Sequence, residues 1–371
     1  MRIAFATLYD SRDIRRGSGT FYYLAQTLEQ QGHRLHRIGP VDFDYPPLSR
    51  MLRALHTRIS RRYVTFLDPW VGRRTGAQVG AQLPAGIDLL LTNDYAVAAY
   101  TPARCPVVLY TDAMLTHDYQ ERHLPAARLG NLTPISRALS VKTIRDGLQR
   151  ADLCVFPAQW IAQEARHYGA DPAKIAVVPF GANMTDPGPV RRAFPPEVLR
   201  LLFVGKDWDR KGGDTAVRAA LDLHERGCPV RLHVVGAQPA LDEGAAAVVT
   251  LHGLLDKADP EQHAQLDSLF RESHALVLPT SSEGFVIAVL EAAAYSLPVL
   301  ATDVPGVSDG AGVFLPLGAP PAAYADVLAG WLGEPDVYRR LAAEARVYFE
   351  NSVNWESAVR RLMGLIEERL A

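Results

Sequence analysis

Short apolar runs recur along the chain, separated by longer stretches in which apolar residues return every three or four positions. In the first half the runs are residues 2–8, 34–38, 89–92, 107–110, 153–156 and 175–178; in the second they are 201–204, 231–235, 248–251, 275–278 and 299–301. Most are continuously apolar rather than alternating, the mark of strands covered on both faces, and strands that alternate with helices form parallel sheets. Two such series predict two doubly wound α/β domains. The break between them falls at Gly181-Ala182-Asn183-Met184-Thr185-Asp186-Pro187-Gly188-Pro189, a Gly- and Pro-rich polar stretch with the character of a linker. A final amphipathic helix is expected over Trp355–Leu370, where Val359, Leu362, Met363 and Ile366 stand at helical spacing and form a stripe that must be covered. Beyond the βα rhythm there is no internal repeat and no low-complexity segment.

Composition narrows the class. With 371 residues, 48% hydrophobic and 22% charged, the chain has the size and core content of a two-domain globular enzyme. Its 39 Lys and Arg are matched by 41 acids, so there is no basic field to attract nucleic acid. Cys105, Cys154 and Cys228 lie far apart without C-x-x-C spacing, which speaks for a reducing compartment and against a zinc site or disulfide framework. The first seven residues read as one short strand, not a signal peptide, and no later run reaches membrane-spanning length. A cytoplasmic protein is expected.

Candidate chemistry concentrates in the second half. Between the runs 275–278 and 299–301 lies Thr280-Ser281-Ser282-Glu283-Gly284-Phe285-Val286-Ile287, which opens a helix with one carboxylate at its mouth and a second, Glu291, two turns inside. In a strand-loop-helix-strand unit, ligands bind beyond the carboxyl ends of the strands, where helix N-termini offer N–H groups to anions and hydroxyls. A loop acid and a solvated helix acid would account for the two carboxylates equally well, since acids near helix starts are favoured anyway. After the run 201–204 comes Gly205-Lys206-Asp207-Trp208-Asp209-Arg210-Lys211-Gly212-Gly213-Asp214. Three cations in a glycine-rich loop leading into a helix suit a pyrophosphate: charge to offset its own and backbone free to approach it.

The two acids, separated by seven residues and set in Ser-Ser-Glu-Gly-Phe and Pro-Val-Leu-Ala-Thr, resemble the E-x7-E signature of retaining glycosyltransferases of the GT-B fold, most closely family 4 (glycosyl transferases group 1). The resemblance covers the chain nearly end to end; residues 40–85 have no counterpart. It implies two Rossmann-like domains facing a cleft: residues 1–185 on the acceptor side, with the helix 355–371 packing back on them, and residues 190–354 on the side of the nucleotide-sugar donor. It also implies a retaining, metal-independent transfer of a sugar from a UDP- or GDP-sugar to a hydroxyl of a glycan, lipid-linked or small-molecule acceptor, with no cofactor besides the donor. Glu291 would bind the ribose hydroxyls, Lys211 with Lys206 or Arg210 the diphosphate, and Glu283 the sugar hydroxyls. The backbone N–H groups of Phe285, Val286 and Ile287 would complete the donor site. In the N-terminal half, Gly19 and Thr20 match the family's glycine loop. Asp112 stands where many members place a His and one subset places Thr-Asp-Ala; His117 is held in reserve. This chain departs from the family in carrying Val286 and Ser296 where glycines are usual, and the Val286 side chain is expected to narrow the sugar pocket. A GT-B sugar-nucleotide epimerase and a catalytically silent nucleotide-binding protein remain as alternatives.

Other patterns carry less. The D-x-D triplets Asp42-Phe43-Asp44 and Asp207-Trp208-Asp209 could ligate a metal, but the second is crowded by Lys206, Arg210 and Lys211; both are read as turn acids. Gly17-Ser18-Gly19-Thr20 lacks the tight turn and final glycine of a dinucleotide fingerprint. Residues 48–74 interleave seven arginines with Leu52, Leu55, Ile59, Val64, Phe66 and Trp70; a solvated helix face is the reading taken, with contact to an anionic membrane surface as the alternative.

Overall fold

The structure is a computed structural model that describes all residues except 43, 44, 60, 62, 113–132, 308–310 and 371. The chain divides into two compact units, residues 1–180 with 358–371, and residues 181–357.

Among the described residues the first unit holds a six-stranded sheet built from β1 (Arg2–Ala6), β2 (Arg34–Ile38), β3 (Leu89–Thr92), β4 (Val107–Tyr110), β5 (Leu153–Phe156) and β6 (Ile175–Val177), in the order β2-β1-β3-β4-β5-β6. Every pairing is parallel. The reason is visible in the side chains: Ile3 to Ala6, Leu89 to Leu91 and Val107 to Tyr110 are buried throughout, so these strands need cover on both faces, which helical crossovers supply. The segment Trp355–Leu370 is helical, with Val359, Leu362, Met363 and Ile366 buried, and Arg369 donates to the carbonyl of Ile175 at 3.0 Å.

The second unit repeats the architecture with β7 (Leu199–Gly205), β8 (Val230–Gly236), β9 (Val249–Gly253), β10 (Ala275–Leu278), β11 (Val299–Thr302) and β12 (Val313–Leu315), in the order β12-β11-β10-β7-β8-β9, again all parallel. Eleven of these twelve strands coincide with the apolar runs. The twelfth is an edge strand of three half-buried residues, too short and too mixed to show in the pattern. Sequence order reverses at β7, which has β8 on one side and β10 on the other. In an open parallel sheet that reversal opens a crevice at the carboxyl ends of the two diverging strands.

A clamp steadies this unit. Arg192 donates to the carbonyls of Phe270, Arg271, Tyr295 and Ser296, at 2.7 to 3.1 Å. These are orphan acceptors at the ends of the helices Pro260–Glu272 and Ile287–Ala294, which a planar five-donor group can satisfy together.

Candidate active site

The crevice between β7 and β10 is where the two halves of the sequence signature meet. After β7, Asp207 caps the single helical turn Trp208–Lys211 by accepting from the Arg210 N–H. Gly212 then takes a left-handed φ of +73° and turns the chain into the helix Gly213–Glu225. A side chain there would lie 2.0 Å from the Pro279 carbonyl, so glycine is required both for the torsion and for the approach of this loop to the end of β10. The loop after β10 is tied to it in return: the Ser281 N–H donates to the Arg210 carbonyl at 2.8 Å.

This packing places Glu283 among cations. Its Oε1 is 2.6 Å from Lys211 Nζ and 2.9 Å from Arg210 Nη1, and accepts from the Thr280 hydroxyl at 2.8 Å. Arg210 also donates to the Ser282 carbonyl at 2.6 Å and to Asp207 Oδ2 at 2.9 Å. Glu283 is 7% exposed, and a buried carboxylate persists as an ion only when paired and hydrogen-bonded in this way. Burial lowers the Lys211 ammonium below the usual lysine range, and Glu283 beside it acts in the opposite direction. The groups expected on the diphosphate and on the sugar are therefore in direct contact here. Lys206, by contrast, is exposed at the end of β7.

Glu291 lies on the inner side of the helix Ile287–Ala294 and is buried. Its partner, which the sequence did not suggest, is Lys257 of the loop after β9, with Nζ 2.5 Å from Oε1. Two features of the helix start bear on the expectations. The Val286 N–H donates to the Gly306 carbonyl at 3.2 Å, so that amide is engaged within the fold. The Val286 side chain, 3% exposed, belongs to the hydrophobic core of the unit and does not narrow a pocket; a β-branched residue at the N-cap position turns inward here to cover apolar neighbours. Asp207 of the second D-x-D triplet is occupied by helix capping and by Arg210.

In the first unit, Gly19 is the left-handed N-cap of the helix Thr20–Gln30, with φ +92°, and Thr20 is buried at its first turn. Asp112 follows β4 by two residues, at the same carboxyl edge of the sheet as the end of β1; it is partly buried, and desolvation raises its carboxyl above the usual carboxylate range. His117 lies outside the described residues, as do Phe43 and Asp44 of the first D-x-D triplet.

Residues 18–186 match the family model described as Glycosyltransferase Family 4, and residues 199–334, which hold the β7–β10 crevice, match Glycosyl transferases group 1. The chain belongs to glycosyltransferase family 4. This family 4 chain is 33% identical over 258 residues to the D-inositol 3-phosphate glycosyltransferase of Streptomyces scabiei, covering 63% of this chain and 55% of that protein. It is 32% identical over 269 residues to the protein of the same name from Streptomyces coelicolor, covering 63% and 56%. It thus spans little more than half the length of the curated relatives it matches. Among solved structures it is similar to sucrose-phosphate synthase from Thermosynechococcus elongatus, with TM-score 0.65 and 16% identity over 99% of this chain and 98% of that one. It is also similar to WaaG, a glycosyltransferase involved in lipopolysaccharide biosynthesis, at 0.63 and 18% over 98% and 99%, and to HepE of Anabaena in complex with UDP and glucose, at 0.61 and 13% over 99% of both chains. At such identities the likeness is one of fold, and the fold is GT-B. Among the described residues no helix is long and apolar enough to cross a membrane.

Proposed function

We propose that this protein transfers a sugar from a nucleotide diphosphate sugar to a hydroxyl acceptor, with retention at the anomeric carbon and without a metal, in glycan or glycolipid biosynthesis. The observation that carries the reading is the convergence of Arg210, Lys211 and Glu283 at the β7–β10 crevice of a family 4 chain. Relatives named as glycosyltransferases, and a fold neighbour holding UDP and glucose, support a nucleotide-sugar donor. In this reading the bond from C1 to the β-phosphate oxygen breaks, its electron pair leaves on the diphosphate, and the acceptor oxygen bonds to C1 from the same face while its proton passes to the departing phosphate. Arg210 and Lys211 stabilise the charge that develops on the leaving group. Glu283 orients the sugar hydroxyls and holds the two cations in place, and Glu291 binds the ribose. The N–H groups of Phe285, Val286 and Ile287 complete the donor-site assignment, the Val286 amide exchanging its Gly306 acceptor for the donor. Gly19, Thr20 and Asp112 are assigned to the same reaction from the first unit. Metal independence is supported by the engagement of Asp207 with Arg210, and a reducing, cytoplasmic setting by the free thiols of Cys105, Cys154 and Cys228.

The test begins with thermal shifts in UDP, GDP and ADP, since a ligand that binds only the native state raises its stability. Glu283→Ala and Lys211→Ala should then remove transfer by 100-fold or more, on the order of what loss of one charge-stabilising group costs. Asp112→Asn should lower turnover much more than nucleotide affinity. Near-native turnover in either of the first two variants would end the donor-site assignment.

A peripheral membrane contact is part of the proposal. On the helix Pro47–Arg58 and its C-cap, Leu48, Met51, Leu55 and Ile59 are exposed, while Ser49 and His56 are buried. Arg50, Arg53 and Arg58 flank the exposed stripe, a charge pattern complementary to anionic headgroups. The protein should co-sediment with phosphatidylglycerol vesicles and not with phosphatidylcholine ones, and Leu55→Glu should abolish it; equal recovery on both lipids would count against the contact.

A further inference from the structure

Resting on the donor reading above, we propose that Lys257 is the positioning residue that fixes Glu291 for recognition of a ribose diol, and thereby sets the preference for ribonucleotide over deoxyribonucleotide diphosphates. Glu291 is 5% exposed. A carboxylate so placed is either paired or protonated, and only the ionised form presents acceptors alone to two hydroxyls. Lys257 supplies the countercharge at Oε1, leaving the carboxylate with capacity to accept further hydrogen bonds.

The ammonium is itself held from behind. Lys257 Nζ donates to the Asn183 carbonyl at 3.1 Å, and the Asn183 side-chain oxygen accepts from Trp355 Nε1 at 3.0 Å. Asn183 is fully buried and Trp355 nearly so. On the other side, the loop that carries Lys257 is pinned by its neighbours: the Asp256 N–H donates to Gln262 Oε1 and the Ala258 N–H to Asp256 Oδ1, at 2.8 and 2.9 Å. The Asp259 side chain caps the helix Pro260–Glu272. A flexible lysine stem is thus fixed at both ends, so the charge that orients Glu291 has a defined position before any ligand arrives, which is what makes a carboxylate selective rather than merely sticky. A lysine serving only to neutralise a buried acid would need neither the backbone acceptor nor the pinned loop.

The experiment is calorimetric titration of the full chain with whichever of UDP, GDP and ADP raises its thermal midpoint, and with the 2′-deoxy and 3′-deoxy forms of that nucleotide. The wild type should prefer the ribonucleotide by about tenfold or more, the range of a hydrogen bond to a charged group. Lys257→Met should weaken ribonucleotide binding by about tenfold and leave the deoxy analogues nearly unchanged, collapsing the preference, and Glu291→Gln should collapse it in the same way. Lys257→Gln retains an amide able to donate to the Asn183 carbonyl, and so keeps the loop anchored should the Met variant not fold; it should lose the preference too. A folded Lys257→Gln that discriminates like the wild type overturns the proposal, as does a wild type that binds the nucleotide without ribose preference. A wild type that binds none of UDP, GDP and ADP overturns the donor reading itself.

Discussion

Ser296 has φ +54°, a left-handed torsion that costs a non-glycine residue about 1 kcal/mol or more. The strain persists because the surroundings fix it: the residue is buried, its N–H donates to the Ala293 carbonyl, and its own carbonyl accepts from Arg192. Ser296→Gly keeps both backbone hydrogen bonds and relieves the torsion, at the expense of greater unfolded-chain freedom. It should stabilise the protein by about 0.5 kcal/mol and raise the thermal midpoint by roughly 1–2 °C; a lower midpoint in calorimetry would contradict this. At this scale the sequence was informative about residue identity and silent about pairing. The serine in a glycine position, the cations of the β7 loop and the two acids could all be read. That Lys211 touches Glu283 could not, because adjacency of β7 and β10 brings together residues far apart in the chain. Lys257 carried no signal at all: a lysine in a polar loop looks solvated until topology places it behind a buried acid.

Elements of the second sheet bear a feature the apolar pattern also concealed. His233 on β8 and His252 on β9 meet at 3.0 Å, Nδ1 to Nε2, and His252 is further bonded to Gln265. A bond between two imidazoles needs one ring as donor and the other as acceptor, so it requires at least one neutral ring. Burial first, and then His252, push His233 down to about 4; burial also lowers His252. Just before β10, His274 Nδ1 accepts from the Arg200 N–H of β7, and burial, with Arg192 and Arg200, brings that ring down to about 4. All three shifts have one sign: the folded state binds these protons less readily than the unfolded chain. Their contribution to stability is complete above the ordinary histidine pKa of about 6.5 and is lost as pH falls toward 4. The thermal midpoint should be level from pH 8 to 7 and decline steadily from 6.5 to 4.5, with a shallower decline in His233→Gln; a midpoint that rises on acidification would sink the assignment. The strands themselves were legible because buried parallel strands must be continuously apolar. The edge strand β12 escaped because its three half-buried residues are too few and too mixed to make such a run.

The molecule as a whole is discontinuous. The first unit closes only with residues 358–371, which lie on the far side of the second unit in sequence. Burial of Val359, Leu362, Met363 and Ile366 contributes roughly 1.5–3 kcal/mol each, together comparable with the entire net stability of a domain, about 5–15 kcal/mol. Truncation after Ser357 should therefore abolish the unfolding transition of the first unit in scanning calorimetry, and two retained transitions would refute that. The same arrangement orders events during synthesis. A ribosome finishes β1 to β6 early, but the surface that receives the last helix stays open while the whole second unit is made, for on the order of ten seconds or more at ordinary elongation rates. Of these two units the one begun earlier is thus completed later, and its exposed apolar face is what a chaperone would meet on the nascent chain.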